Sequence, residues 1–245
     1  MTNHSHTAPL SAAELKVMKA RGEKIVMLTT YDASMTMQCE QAGVDILLVG
    51  DSLGMVVQGH DSTLPVTMED MIYHTRQVAR ARQHTLLATD MPYHTYSDRQ
   101  DALVNARRLL DEAGTDMVKL EGGGVIIDIV AHLTQNGVRV CGHLGLLPQS
   151  VNELGGYKVQ GKTSEQARQL MDDAMAVEQA GMDSYQGAPL VIFIVAINPV
   201  GNRFGQAWHL AQLCEAGLPD LYQAAEVFQE RSLSLGPDSS DVGKR

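Results

Sequence analysis

Short apolar runs alternate with helical stretches along most of the chain. We predict five strands in these runs, and each is followed by a helical stretch that ends before the next run. This alternation is typical of parallel βα units. The predicted strands lie at 25–32, 45–51, 85–90, 117–122 and 138–143. Helices are predicted at 11–21, after 32 up to Ala42, after Thr67, at 98–113, at 125–136 and at 164–180.

Polar residues mark the helix ends and the loops. Ser11 is the expected N-cap of the first helix, with Glu14 completing a capping box. Thr67 is the expected cap after a glycine-containing loop that runs to Pro65, and Gly43 ends the second helix.

Each predicted strand ends in a polar side chain. In a (β/α)8 barrel the carboxyl ends of the strands form the rim of the active site. The alternative is that these residues simply begin loops, where Asp and Gly favour turns. Five such residues in register favour a shared site, and they are Asp32, Asp51, Asp90, Glu121 and His143.

Three of these residues are hard oxygen donors, namely Asp51, Asp90 and Glu121. Mg²⁺ takes one or two carboxylates directly and keeps several waters, so this set suits it. Zinc would favour His or Cys ligands. The sequence therefore predicts a magnesium site.

Lys119 and His143 each allow two interpretations. Lys119 lies two residues before Glu121, so both side chains face the same side of the strand. In one interpretation it forms a purely structural ion pair with a carboxylate. In the other it faces the carboxylate of a substrate or a developing enolate. His143, with glycines nearby, is either a core-edge histidine or a hydrogen-bond donor to a substrate oxygen. The glycines at 122–124 form either a phosphate cradle or, more simply, a turn into a helix.

The charge balance excludes two classes of partner. Lys plus Arg number 19 and Asp plus Glu 29, giving a formal net charge of −10. A nucleic-acid binder needs a basic surface, and so does a protein that adheres to an anionic membrane. An anionic substrate would need a local positive charge, which a divalent metal supplies.

Targeting and cysteine signals favour a cytoplasmic protein. The start of the chain lacks the apolar region of a secretory signal. The longest apolar run, 188–197, is about half as long as a membrane span. Cys39, Cys141 and Cys214 are far apart and form no CxxC pair, so neither a disulfide framework nor a zinc site is expected.

The composition changes after Gly181. Residues 1–192 contain no Phe or Trp, whereas Phe193, Phe204 and Trp208 follow closely, and residues 184–214 contain no Asp, Glu or Lys. The run at 189–198 predicts a buried strand, with helices around 205–216 and 220–231.

Four stretches of the sequence resemble motifs of the ketopantoate hydroxymethyltransferase (3-methyl-2-oxobutanoate hydroxymethyltransferase) family. The resemblance extends over about 11–181, and the part after about 183 does not match. The motifs are LTTYD at 28–32, VGDSLGMVVQGHDSTLPVTMEDMIYHT at 49–75, MVKLEGG at 117–123 and VCGHLGLLPQSVNELGGYKVQGK at 140–162.

The resemblance implies a (β/α)8 TIM-type barrel of the phosphoenolpyruvate/pyruvate superfamily and a homodecamer. Because the later sequence departs from the family, we expect the barrel to be incomplete or altered after strand five. We expect a loose tail at 1–10, one barrel domain at 11–235 that is divergent from 184 onwards, and a disordered tail at 236–245. The implied activity uses Mg²⁺ and transfers a one-carbon unit from 5,10-methylenetetrahydrofolate to 3-methyl-2-oxobutanoate, an early step of pantothenate synthesis.

The resemblance also implies roles for single residues. Asp51 and Asp90 match the metal ligands, and both also border the substrate. Glu121 matches the carboxylate that holds the metal through water. The other substrate-binding residues that the resemblance implies are Ser52, Lys119 and His143.

One catalytic group of the family has no match. The family's proton acceptor is a Glu on strand six in a string like ECVP, whereas residues 184–198 contain no Glu and Glu178 precedes that strand. His143 is the remaining catalytic candidate. The chain is therefore an impaired hydroxymethyltransferase, a carbon–carbon lyase acting on another 2-oxo acid, or an inactive homologue that serves as a binding or structural subunit.

The sequence after about 183 is either native and divergent or displaced by a frameshift or a similar error. Displacement predicts an ECVP-like string in another reading frame of the gene downstream of codon 183. Sequencing that region and translating all frames checks this, and finding no such string in any frame would exclude displacement.

Overall fold

The computed structural model of the chain describes residues 10–150, 160–161, 163–182 and 191–196, the last six as backbone. Six parallel strands form one sheet in sequence order, β1 to β6. The strands are β1 (Met27–Thr29), β2 (Ile46–Val49), β3 (Leu86–Asp90), β4 (Met117–Glu121), β5 (Val140–Gly145) and β6 (Val191–Ala196).

Helices connect the strands, as the alternating pattern predicts. All of the described residues belong to a single compact unit of the chain, and their βα order is that of an incomplete (β/α) barrel. The helices are α1 (Ala12–Ala20), α2 (Ala33–Gln41), α3 (Leu53–Val56), α4 (Met68–Ala81), α5 (Arg99–Arg108), α6 (Val125–Gln135) and α7 (Ser164–Met182).

The predicted helix caps are confirmed. Ser11 and Glu14 form the reciprocal capping box of α1, and Thr67 forms one with Asp70 at α4. The loop predicted before Thr67 contains the short helix α3, and α5 continues into a π-helical turn at Leu109–Ala113.

Asp32 does not end a strand. Strand β1 ends at Thr29, and the Asp32 carboxylate accepts a hydrogen bond from the backbone N–H of Met35 at 2.8 Å, so it is the N-cap of α2. The prediction that Asp32 ends a strand at a shared site is wrong, and the loop alternative is correct for this residue. Aspartate is a favoured N-cap because its side chain satisfies an unpaired N–H of the first turn.

The glycines after β4 form a turn. Gly122 and Gly124 have positive φ angles of 116° and 56°, and Gly124 is the N-cap of α6. A Cβ at Gly123 would lie 2.5 Å from the Asp173 carboxylate of α7, so this backbone packs against an acidic side chain. That contact disfavours the phosphate cradle.

The inner face of the sheet has an apolar half and a charged half. At the amino ends of the strands, a buried cluster on the sheet packs against Leu15 and Met18 of α1 and against Leu10, which precedes that helix. That cluster consists of Ile46, Leu48, Leu86, Ala88, Met117 and Cys141. With period two, the same face continues into Asp90, Lys119, Glu121 and His143 at the carboxyl ends.

Several sequence predictions fall outside the described residues. These are most of the tail at 1–10, the helices around 205–216 and 220–231, Cys214 and the tail at 236–245. Cys39 and Cys141 are buried free thiols, as predicted. No helix of the described ranges has the length and apolar character needed to cross a membrane.

Glu40 of α2 ties the loop before β3 to the rest of the fold. Its Oε1 accepts hydrogen bonds from the N–H of Gln83 at 3.0 Å, from the N–H of Thr85 at 3.1 Å and from the Thr85 hydroxyl at 2.7 Å. Burial raises the pKa of Glu40, but these bonds outweigh it, and the pKa lies below its usual value.

We therefore expect Glu40→Gln to destabilise the protein by about 1 kcal/mol at pH 7, since the carboxylate is partly exposed and each bond is weakened by solvent. A lowered folded-state pKa means that the stabilisation is present above the unfolded pKa and is lost as the pH falls through the folded one. Urea unfolding at several pH values measures this. Glu23→Gln, which removes only a surface pair with Arg21 at 3.9 Å, is the control, and equal effects of both variants at pH 7 would contradict the assignment.

Candidate functional site

Strand register brings the charged residues together. Asp90 on β3 pairs in register with Lys119 on β4, and Glu121 on β4 pairs with His143 on β5. Asp51 follows the end of β2, in the turn that leads into α3. Four of the six predicted site residues therefore lie in adjacent strands on one face, and the other two, Asp51 and Ser52, lie in the turn after β2.

Lys119 is buried among carboxylates. Its Nζ lies 2.7 Å from Asp90 Oδ1 and 3.6 Å from Glu121 Oε1, and the side chain is 5% exposed. The internal ion pair that the sequence offered as one interpretation is thus present. Lys119 is also one of the residues that line a cavity.

Asp51 and Asp90 share that cavity, together with Ser52, Lys119 and Glu121. The cavity has a volume of ≈ 20 Å³, room for about one water-sized occupant. The Asp51 backbone N–H donates to Asp90 Oδ2 at 3.1 Å, which holds the two acidic residues side by side. A Cβ at Gly50 would lie 2.9 Å from Ser52 Oγ, so glycine is what lets this turn approach so closely.

His143 lies behind Glu121. The His143 Nδ1 donates to Glu121 Oε1 at 2.9 Å, and the imidazole is 1% exposed. Glu121 lines the cavity, whereas His143 is not one of the described residues that do. His143 is therefore in contact with the cluster through Glu121 rather than through the cavity wall.

The cluster carries more negative than positive charge. Burial raises the pKa of Asp51 well above its usual value, and the charges of Asp90 and Glu121 raise it further. Burial also raises the pKa of Asp90, against the opposing effect of Lys119. Burial disfavours the Lys119 ammonium, but Asp90, Glu121 and Asp51 outweigh it and raise the pKa of Lys119. Three carboxylates thus surround one ammonium, an arrangement that a further cation would stabilise.

The donor set fits a hard divalent cation at Asp51 and Asp90. Both offer carboxylate oxygens to one small cavity, which is the chemistry that Mg²⁺ prefers. In the described part of the chain no group of three or more His, Cys, Asp or Glu side chains is arranged to hold a metal ion. Lys119 Nζ lies 2.7 Å from Asp90 and 3.6 Å from Glu121, so two of the three predicted ligands already have a cationic partner. The metal roles of Asp51, Asp90 and Glu121 stay predictions.

Three residues of the cluster were missed by sequence reasoning. Gln149 Nε2 donates to Asp51 Oδ2 at 2.8 Å, and its backbone N–H donates to Glu121 Oε2 at 3.1 Å. The Tyr96 hydroxyl donates to Gln149 Oε1, and the Tyr31 hydroxyl is hydrogen-bonded to Ser52 Oγ at 2.9 Å. Gln149 and Tyr31 lie inside the motif strings quoted above, which was the available signal.

Several solved structures have a similar fold. A phosphoenolpyruvate phosphomutase from Streptomyces platensis subsp. rosaceus matches with a TM-score of 0.54 at 15% identity, covering 76% of this chain and 64% of that one. A 2,3-dimethylmalate lyase, described as a PEP mutase/isocitrate lyase superfamily member, matches with a TM-score of 0.50 at 14% identity, covering 69% and 58%. At these identities the likeness shows the fold alone, and it confirms the predicted α/β barrel-type fold.

Similar sequences carry one name. The 3-methyl-2-oxobutanoate hydroxymethyltransferase of Nitrosococcus oceani is 55% identical over 174 residues, covering 71% of this chain and 66% of that protein. The protein of the same name from Alkalilimnicola ehrlichii is 52% identical over 222 residues, covering 91% and 78%. That second alignment extends beyond the segment in which the motifs were found.

The chain spans just under two thirds of the length of the Nitrosococcus protein. A family model described as ketopantoate hydroxymethyltransferase matches residues 9–186, which is most of the chain. This match includes β1 to β5 and every predicted site residue. The chain belongs to the ketopantoate hydroxymethyltransferase family.

Proposed function

We propose that this chain binds 3-methyl-2-oxobutanoate with Mg²⁺ and accepts a one-carbon unit from 5,10-methylenetetrahydrofolate, giving 2-dehydropantoate (ketopantoate). The names of its relatives support this activity. The observation that carries it is the shared cavity of Asp51 and Asp90, with Ser52 and Lys119 in its wall.

Asp51 and Asp90 would hold the metal, and Glu121 would contact it through water. When bound, Mg²⁺ supplies Lewis acidity to the keto oxygen of a chelated 2-oxo acid. The excess of carboxylate over ammonium in the cluster supports this assignment, since a divalent cation offsets the surplus negative charge.

Lys119 and Ser52 would bind the substrate. The Lys119 ammonium is held at the cavity by Asp90 and Glu121, so its position is fixed before a ligand enters. There it would donate a hydrogen bond to the substrate carboxylate or to the oxygen that gains negative charge. The Ser52 hydroxyl, oriented by Tyr31, would bind the keto acid beside Asp51.

His143 would act on the substrate through Glu121 or after a shift toward the cavity. The hydrogen bond to Glu121 fixes the imidazole ring and keeps a proton on Nδ1. His143 remains the chain's candidate catalytic group because the sixth strand, Val191–Ala196, carries no acidic residue.

The family resemblance extends the proposal to a cytoplasmic homodecamer. The strongly negative formal charge of −10 supports the absence of nucleic acid and of anionic membrane among its partners.

Keto acid binding should require both aspartates. We expect Asp51→Asn and Asp90→Asn to abolish Mg²⁺-dependent binding of 3-methyl-2-oxobutanoate, because an amide oxygen carries no charge for the cation. Isothermal titration calorimetry of the keto acid, with and without MgCl₂, measures this. The matched control is Asp32→Asn, since Asp32 caps α2 and asparagine caps equally well. Unchanged binding in both site variants would contradict the site.

Turnover should be slow. Losing a general base typically lowers the catalytic rate about 10²- to 10⁴-fold. We therefore expect this chain to form ketopantoate more slowly, by a factor in that range, than a family member that has the ECVP motif. A coupled assay for tetrahydrofolate release measures it.

Pyruvate release from another 2-oxo acid would instead favour the lyase. Undetectable turnover with intact keto acid binding would favour the inactive homologue.

A further inference from the structure

Gln149 connects two carboxylates of the cluster, Asp51 through its side chain and Glu121 through its backbone. Its Nε2 donates to Asp51 Oδ2 at 2.8 Å and to the carbonyl oxygen of Met91 at 3.0 Å. Its backbone N–H donates to Glu121 Oε2 at 3.1 Å. The residue is 4% exposed, so water does not compete effectively for these bonds.

Asp51, the Met91 carbonyl and Tyr96 together hold the Gln149 amide in one orientation. An amide oxygen only accepts hydrogen bonds and an amide nitrogen only donates them. The Tyr96 hydroxyl donates to Gln149 Oε1 and accepts from the Glu121 N–H at 3.4 Å. A flipped amide would turn its oxygen toward the Asp51 carboxylate and the Met91 carbonyl, which only accept, so both bonds of Nε2 would be lost and the Tyr96 hydroxyl would have to accept instead of donate.

The fixed amide restricts the Asp51 carboxylate. The Gln149 Nε2 engages Oδ2, which holds the carboxylate in one orientation and leaves Oδ1 as the oxygen without that donor. The Asp51 backbone N–H is held at the same time by Asp90 Oδ2. Hydrogen-bonded partners of ligating side chains commonly set both the orientation and the affinity of a metal site.

We infer that Gln149, oriented by Tyr96, is a positioning residue that presents Asp51 to the divalent cation through a single oxygen. The inference rests on the proposed function, because it concerns the same cavity. Gln149 then affects the affinity for Mg²⁺ but not the contacts that the chain makes with the keto acid.

Gln149→Met keeps the length of the side chain and removes the donor. We expect its affinity for MgCl₂ alone, measured by calorimetry, to fall about 10- to 100-fold. When Mg²⁺ is saturating, the affinity for 3-methyl-2-oxobutanoate should equal that of the wild type. A variant that simply damaged the cavity would lose both affinities, so this split separates positioning from a structural defect.

Tyr96→Phe tests the orientation step with a smaller change. It should weaken Mg²⁺ binding in the same direction, and the double variant should bind no more weakly than Gln149→Met, because both substitutions break one chain of hydrogen bonds. The matched control is Gln77→Met on α4, whose amide donates only to the carbonyl oxygen of Tyr73. Its Mg²⁺ affinity should equal that of the wild type.

The outcomes distinguish the two levels of the argument. A wild-type protein that shows no Mg²⁺ binding overturns the proposed metal site, and this inference with it. Wild-type binding together with equal affinity in Gln149→Met overturns the positioning role alone. Should Gln149→Met fail to fold, unchanged Mg²⁺ affinity in Tyr96→Phe overturns the role, and additive losses in the double variant do the same.

Discussion

The contact of the Lys119 ammonium with the Asp90 and Glu121 carboxylates organises the described part of the molecule. Removing such a charge from a buried cluster costs about 3–5 kcal/mol, yet a buried ion pair adds little stability compared with apolar side chains of the same volume. Stability alone therefore gives no reason for placing three charged side chains, Asp90, Lys119 and Glu121, on the inner face of a sheet. A ligand that carries charge into the cavity does give a reason.

The sheet separates the stabilising interactions from the charged ones. The amino ends of the strands and the first helix form an apolar cluster, and the carboxyl ends of the same strands carry the site. Because side chains alternate between the two faces of a strand, the apolar cluster and the charged residues lie on the same face. The packed apolar end of the sheet therefore fixes the positions of the charged side chains at the carboxyl ends. Because the backbone N–H of Asp51 is bonded to Asp90, the loop after β2 is held to the same frame.

Most of the fold and the strand-borne part of the site followed from the sequence because both depend on local pattern. Asp90, Lys119 and Glu121 occupy inward-facing positions of regular strands, and the alternation of side chains along a strand predicts which positions face inward. Asp32 looked the same in the sequence, but β1 ends earlier and the carboxylate caps a helix instead. Gln149 could not be found this way, since its bond to Asp51 joins residues 98 positions apart. An amide also carries no charge to draw notice.

The sixth strand concerns the proposed catalytic step and not the proposed binding site. Val191–Ala196 pairs in parallel with β5, so a strand occupies the place after the fifth, but its sequence has no carboxylate to accept a proton. The proposed cation and keto acid site is formed by residues of β3 and β4 and of the loop after β2, none of which belongs to that strand. The account's central claim is accordingly about binding. Titrating the wild-type protein with Mn²⁺ and following free Mn²⁺ by electron paramagnetic resonance, with and without 3-methyl-2-oxobutanoate, tests it most directly. The account predicts one site per chain that binds Mn²⁺ more tightly when the keto acid is present, whereas no binding, or weak binding that the keto acid leaves unchanged, would contradict it.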